Sequence, residues 1–282
     1  MKAIILNLSA WVMLPVMDGF AKYLSSTLPI LQITWSRYFF TVVFVLPIIL
    51  VFFRKNLTWT EQPKLQLIRG LLLFCANILF FYAISIISLA KALTLAFIAP
   101  LIVTLLSPII LGEKVGFRRW AAVIVGFIGS LIVIRPGFVE FNLASFAALG
   151  TGAMYGFYLI VTRKLHNSDN PLLTLLLTGT VGAIVGSIIM PTVWVQPTIN
   201  EWYMMFAIGF FASLGHFFLI LSLRYADASK LAPFGYFEIV PNIIIGYFFF
   251  NHFPNQWHFF GLFIIISSGI YIFRREMLNM PN

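Results

Sequence analysis

Residues 70–91 read GLLLFCANILFFYAISIISLAK, and residues 209–230 read GFFASLGHFFLILSLRYADASK, so the first stretch returns without a gap at an offset of 139. Each begins on glycine and ends on lysine. Each carries one strongly polar residue, Asn77 or His216, at the same place in an apolar run. Working outward, Met17-Asp18-Gly19-Phe20 returns as Met154-Tyr155-Gly156-Phe157 at an offset of 137. The chain therefore reads as one unit written twice, over 1–137 and 138–282.

Crossing a bilayer takes roughly 20 mostly apolar residues. Ten segments qualify, at 3–24, 30–53, 66–87, 91–111, 118–135, 142–163, 171–190, 202–223, 229–250 and 256–273. The expected fold is all-α and integral to the membrane, with ten transmembrane helices. Five spans per unit is an odd number, so the second copy sits upside down relative to the first. Inverted repeats of this kind recur in secondary transporters.

Composition agrees. Hydrophobic residues fill 61% of 282 positions and charged residues 10%, so the bilayer has to act as solvent. The spans are too long for barrel strands, which run to about ten alternating residues. The first span also exceeds the roughly 7–15 apolar residues of a signal peptide. Cys75 is alone and lies in an apolar run, which excludes a disulfide framework and predicts a buried packing role.

The net charge of +9 has no basic domain to carry nucleic acid and reads as a topology signal. With the N-terminus in the cytoplasm, the inner side collects Lys2, Arg54, Lys55, Lys64, Arg69, Lys114, Arg118 and Arg119. Arg163, Lys164, Arg224, Lys230, Arg274 and Arg275 complete it, against Lys91 and Arg135 outside. Both termini are expected in the cytoplasm.

Several motifs resemble the drug/metabolite transporter superfamily in its ten-span EamA-repeat form. These are Ser36-Arg37-Tyr38-Phe39-Phe40, Leu111-Gly112-Glu113-Lys114, Arg118-Arg119-Trp120, and the 125–129 run VGFIG that leads to Arg135-Pro136. A narrower set is similar to bacterial S-adenosylmethionine uptake transporters: Asp18 with Lys22-Tyr23-Leu24, residues 69–74 (RGLLLF), Tyr236-Phe237-Glu238, and residues 250–254 (FNHFP). The resemblance implies a multi-pass protein of a bacterial inner membrane. His252 stands where the first repeat has Glu113, a departure that puts an acidic role shared by both repeats in doubt.

Charged side chains at bilayer depth cost on the order of 2.5–3.5 kcal/mol and face a partner or a cavity. Asp18 and Lys22 are four apart on one helix face, so they either pair or reach the cavity. Arg37 lies about 10 Å deep in the second span, at 1.5 Å per residue, and needs an anion: a substrate carboxylate, Asp18 or Glu238. Asn77 and His216 share one depth, suited to interhelical hydrogen bonds or to a midplane site.

Glu238 sits near the centre of the ninth span, expected to line the site. Pro241 behind it removes a helix hydrogen bond, and Pro100 does so near the equivalent place, marking two helix breaks. Trp35, Tyr155, Tyr158 and Tyr236 lie near this polar set, where they either pack or make cation–π contact with substrate. The Gly182/Gly186 spacing allows close helix approach, within the chain or in a homodimer.

The reading is a carrier rather than an enzyme, with no Walker A sequence and no cofactor or metal motif. Its partners are the lipid bilayer and a small polar substrate, zwitterionic or cationic, such as S-adenosylmethionine or an amino acid. Asp18 and Glu238 would supply negative charge, and either would carry a coupled proton; Lys22 and Arg37 would supply positive charge. An exporter and a lipid or lipid-linked-sugar translocase remain open alternatives.

Overall fold

The structure, a computed structural model of the chain, describes residues 1–53, 59–134, 142–167, 169–251 and 256–278. The repeat junction at 137/138, Arg54, Lys55, Arg135-Pro136 and His252 lie outside these, as do the side chains of Arg274 and Arg275.

The described residues are all-helical: α1 (Lys2–Leu24), α2 (Ile30–Ile48), α3 (Pro63–Ile86), α4 (Leu89–Ala96), α5 (Ile98–Leu106), α6 (Phe117–Ile134), α7 (Leu143–Lys164), α8 (Pro171–Ile189), α9 (Ile199–Tyr225), α10 (Ala228–Leu231), α11 (Ile239–Phe250) and α12 (Gln256–Leu278). Eight stretches among them are long and apolar enough to cross a membrane, counting α4 with α5 (Leu89–Leu111) and α10 with α11 (Ala228–Phe250) as one each. Helices α6 and α12 occupy the places of the fifth and tenth expected spans.

Helix ends follow local chemistry. Proline opens α3 and α8, where its missing N–H costs nothing. Reciprocal capping boxes start α7, through Asn142 and Ser145, and α9, through Thr198 and Glu201. Two left-handed residues end the repeat-related segments, Gly112 at φ +69° and Asn251 at φ +53°. They stand 139 apart, so the backbone repeats even where the side chains differ.

The same relation governs the helix breaks. The fourth span is interrupted at Phe97, between α4 and α5. The ninth is interrupted by a 3-10 segment, Ala232–Glu238, between α10 and α11. Pro100 has no N–H to give the Ala96 carbonyl, and Pro241 none for that of Phe237. The first break falls one turn ahead of Pro100, and the second, which opens at Ala232-Pro233, runs to within one turn of Pro241.

Packing crosses between the repeats. Helix α1 lies mainly against α9 and the α10–α11 segment, and α7 lies against α3 and the α4–α5 segment. Each half thus lends its first helix to the other, giving two repeat-related bundles. Helix α2 bridges α8 and α9, and α6 pairs with α12. The Gly182/Gly186 face is used inside the chain: Gly182 packs on the Tyr38 ring and Gly186 on Trp35.

Apolar side chains also face outward, as Phe248 and Phe249 do. Cys75 joins them on the exposed side of α3, which corrects its expected burial. Lipid-facing and core-facing positions look alike in an apolar run, because both surroundings are hydrocarbon.

Where α7 passes the first break, Gly152 carries it directly over the Ala96 carbonyl, and a Cβ there would collide with that backbone oxygen. Gly152→Val is expected to cost about 1–3 kcal/mol through overpacking. Gly116→Ala, with nothing within 4 Å of the added carbon, should be silent. Thermal unfolding in detergent compares them, and equal stability would contradict this packing.

Candidate functional site

The two breaks touch through the Phe97 and Tyr236 rings and both line a cavity between the bundles, with about 910 Å³ of space free of protein atoms, part of it open to the surroundings. Its walls come from α1, α3, α4–α5, α7, α9 and the α10–α11 segment. The second span, also expected to contribute, is absent from the lining.

Repeat-related pairs face this cavity with different chemistry. Asp18 is matched by Tyr155, Asn77 by His216, and Ala99 by Glu238, and all six line it. Pro100 lines it as well. The Asp18 residue is 3% exposed, and its Oδ1 has no hydrogen-bond partner. Glu238 is half-buried; its backbone carbonyl accepts from Asn242 Nδ2 at 3.0 Å, and its carboxylate has no hydrogen bond among the described residues. Neither carboxylate is ion-paired among the described residues.

The expected cations stand elsewhere. Lys22 Nζ turns from Asp18 and donates to the carbonyls of Ile84 (2.6 Å) and Ile87 (3.1 Å) at the end of α3. Helix termini leave such carbonyls without partners. The alternative of an Asp18–Lys22 pair is therefore not formed. Arg37 lies behind the lining, 2% exposed, with Nη2 2.6 Å from His216 Nε2, Nε 3.2 Å from Met17 Sδ and its guanidinium over the Tyr38 ring. Among the described residues no carboxylate holds it.

Because an arginine can only donate, His216 Nε2 must accept, which places the imidazole proton on Nδ1. That N–H donates to Tyr158 Oη at 3.0 Å, and Arg69 Nη2 donates to the same oxygen at 3.1 Å. His216 is therefore a neutral link between two buried guanidiniums. Asn77 Nδ2 donates to Leu73 O (2.6 Å) and Tyr38 Oη (3.0 Å).

The aromatics divide. Tyr155 lines the cavity, edge-on to Trp11 and stacked on Tyr158, with its hydroxyl unpartnered. Tyr236 is buried against Phe97 and Gly126, and its hydroxyl too lacks a partner. Trp35 donates Nε1 to Ser187 Oγ at 2.9 Å and stacks on Phe39, away from the lining. Pro241 lies in the first turn of α11, outside the lining.

Sequence reasoning missed three residues here. Asn7 and Trp11 line the cavity, with Trp11 Nε1 bonded to Asn7 Oδ1 at 2.7 Å. The helical stripe Asn7, Trp11, Leu14, Asp18 carried that signal. Arg69, counted among the inner flanking charges, is completely buried. It bonds Thr162 (2.8 Å), the Thr174 carbonyl (2.9 Å), Thr178 and Tyr158, tying α3 to α7 and α8.

The profile of the EamA-like transporter family matches residues 1–135 and again 142–274. The chain belongs to that family. It is 30% identical over 263 residues to an S-adenosylmethionine uptake transporter of Rickettsia bellii, covering 93% of this chain and 90% of the relative. It is 27% identical over 276 residues to a riboflavin transporter of Vibrio cholerae, covering 95% and 92%. A solved crystal structure with 17% identity superposes at a TM-score of 0.78 over 99% of both chains, a likeness of fold. As an EamA-like protein the chain is a multi-pass membrane transporter of a small molecule, and its relatives move different metabolites.

The hydroxyls give a contrast within this site. Tyr158→Phe removes the acceptor for Arg69 and His216 and should cost about 1–3 kcal/mol per stranded donor. Tyr236→Phe removes a hydroxyl without a partner and should cost nothing. If thermal unfolding ranks them the other way, the hydrogen-bond assignment fails.

Proposed function

We propose that the chain is a secondary transporter that carries a positively charged metabolite of the S-adenosylmethionine class across the bacterial inner membrane by alternating access. Ten spans with both termini in the cytoplasm would hold the two repeats in opposite senses. One observation carries the choice of substrate: Asp18 and Glu238 line the cavity, while no lysine or arginine does among the described residues.

A carboxylate in a low-dielectric site attracts a cation strongly. S-adenosylmethionine carries a sulfonium and an ammonium against one carboxylate, so its net charge suits this lining. Trp11 and Tyr155 offer aromatic faces for the sulfonium or the purine. Arg37, in the layer behind, is near enough to act on Asp18, and a substrate carboxylate would meet its field rather than its guanidinium. This shifts the expected balance, because Lys22 and Arg37 do not stand opposite the carboxylates as an equal cationic wall. The Rickettsia bellii relative, an S-adenosylmethionine uptake transporter, favours the same substrate.

Uptake of labelled S-adenosylmethionine into proteoliposomes tests the assignment. Asp18→Asn and Glu238→Gln should each lower uptake by about ten- to a hundred-fold, the scale of a lost charge-assisted bond. Wild-type uptake in both variants would overturn the site. Asp18 and Glu238 are also the groups able to carry a proton across. An imposed pH gradient, acid outside, should accelerate wild-type uptake; indifference to it would leave exchange or the substrate gradient as the driving force.

A further inference from the structure

The cavity has a fastening at each end, and both cross the interface between the same two bundles. At the end where α3 terminates, Lys22 of α1 reaches the carbonyls of Ile84 and Ile87. At the opposite end, Arg163 of α7 reaches the Leu223 carbonyl of α9 at 2.7 Å. The acceptors Ile84 and Leu223 stand 139 apart, the repeat offset itself. In each repeat, then, a cation near the end of the first helix closes on the same carbonyl of the third helix.

The two ends are not equally built. Lys22 meets carbonyl oxygens, with the Phe250 ring 5.7 Å away. Arg163 instead sits between two carboxylates, with Nε 3.2 Å from Glu113 Oε1 and Nη2 2.9 Å from Asp227 Oδ1. Glu113 also accepts from the backbone N–H groups of Ala228 (2.9 Å) and Ser229 (3.0 Å). Leu223 and Ala228, whose backbones this cluster grips, are themselves part of the cavity wall. The side chain of Glu113 is 5% exposed and that of Arg163 13%. Pairs sheltered to this degree escape most of the screening that weakens surface salt bridges.

We propose that Glu113, Arg163 and Asp227 form the latch of one cavity mouth and Lys22 that of the other, and that the ionic latch, being the stronger, makes the protein rest closed at the Arg163 end. Opening that mouth separates α7 and the end of the α5 segment from α9 and α10; the bonds to Leu223, Asp227, Ala228 and Ser229 lie on this line of separation, and the Arg163–Glu113 pair holds the first side together. Opening the other mouth breaks the two lysine–carbonyl bonds and parts α4 from α11. The proposal rests on the cavity being the transport path, but its test needs no substrate.

In a Cys75→Ala background, Val103→Cys places a reporter on the cavity wall. Labelling by a membrane-impermeant maleimide is then measured separately from each face in oriented vesicles. Without substrate, the reporter should label faster from the Lys22 end. Glu113→Gln and Arg163→Gln should each raise labelling from the Arg163 end by about ten-fold, the scale of one lost charge-assisted bond. Lys22→Met should raise labelling only from its own end, and Arg163→Lys should keep most of the protection. Asp227→Asn tests the same latch at a side chain 33% exposed, where folding is not at stake, and should raise labelling in the same direction. Latch variants that label like the parent at the Arg163 end, or equal access from both faces in the parent, would overturn the proposal. If the latch behaves as stated while Asp18→Asn and Glu238→Gln transport normally, the substrate assignment alone fails.

Discussion

Pro100 gives no hydrogen bond to the carbonyl of Ala96, and Pro241 gives none to that of Phe237. In water those carbonyls would be hydrated. Within a bilayer, backbone that leaves the helical path persists only inside protein or against a cavity. The two interrupted helices answer this together, since both breaks meet the same cavity. The glycine at 152 lets α7 close over the first break. The 3-10 run of the second break delivers Glu238 to the opposite wall. Breaks at related places in the two repeats thus supply part of the cavity wall, and the second brings Glu238 to it.

Symmetry supplies the scaffold, and the chemistry departs from it. Gly112 and Asn251 end related segments in the same left-handed conformation, and Ile84 and Leu223 receive related cations. Against that background, a carboxylate replaces a methyl group at Glu238/Ala99, and another replaces a phenol at Asp18/Tyr155. Both departures add negative charge to the lining. The compensating positive charge, on Arg37 and Arg69, is held a layer back through neutral His216 and Tyr158. Buried guanidiniums bonded to neutral partners keep their field, and that field bears on Asp18 without filling the cavity.

Eight span positions were legible because apolar length alone sets them, and among the described residues helices also occupy the fifth and tenth expected places. The polar residues inside apolar runs were legible too, which is why Asp18, Asn77, His216 and Glu238 were singled out together, and they share one cavity. What a depth cannot give is direction around the helix axis. Lys22 lies one turn from Asp18 yet turns to the end of α3, and Arg37 lies behind the wall rather than in it. Arg69 reads as a flanking charge until Thr162, Thr178 and Tyr158 arrive from other helices to enclose it. Glu113 shows the same limit, since its partners Arg163, Ala228 and Ser229 come from the other repeat.

Exchange of first helices between the repeats gives the cavity two walls of mixed origin. Both uncompensated carboxylates stand on one of these walls, Asp18 on α1 and Glu238 at the end of the 3-10 run that α1 packs against, so a cation between them would be held by that body. The account stands on this preference for positive charge. It is tested most directly by thermal unfolding of the purified protein with S-adenosylmethionine and with its demethylated thioether, S-adenosylhomocysteine, which keeps the purine and the amino acid but loses the sulfonium charge. Clear stabilisation by the sulfonium compound with little or none from the thioether is the expected result; equal stabilisation by the two would contradict the account.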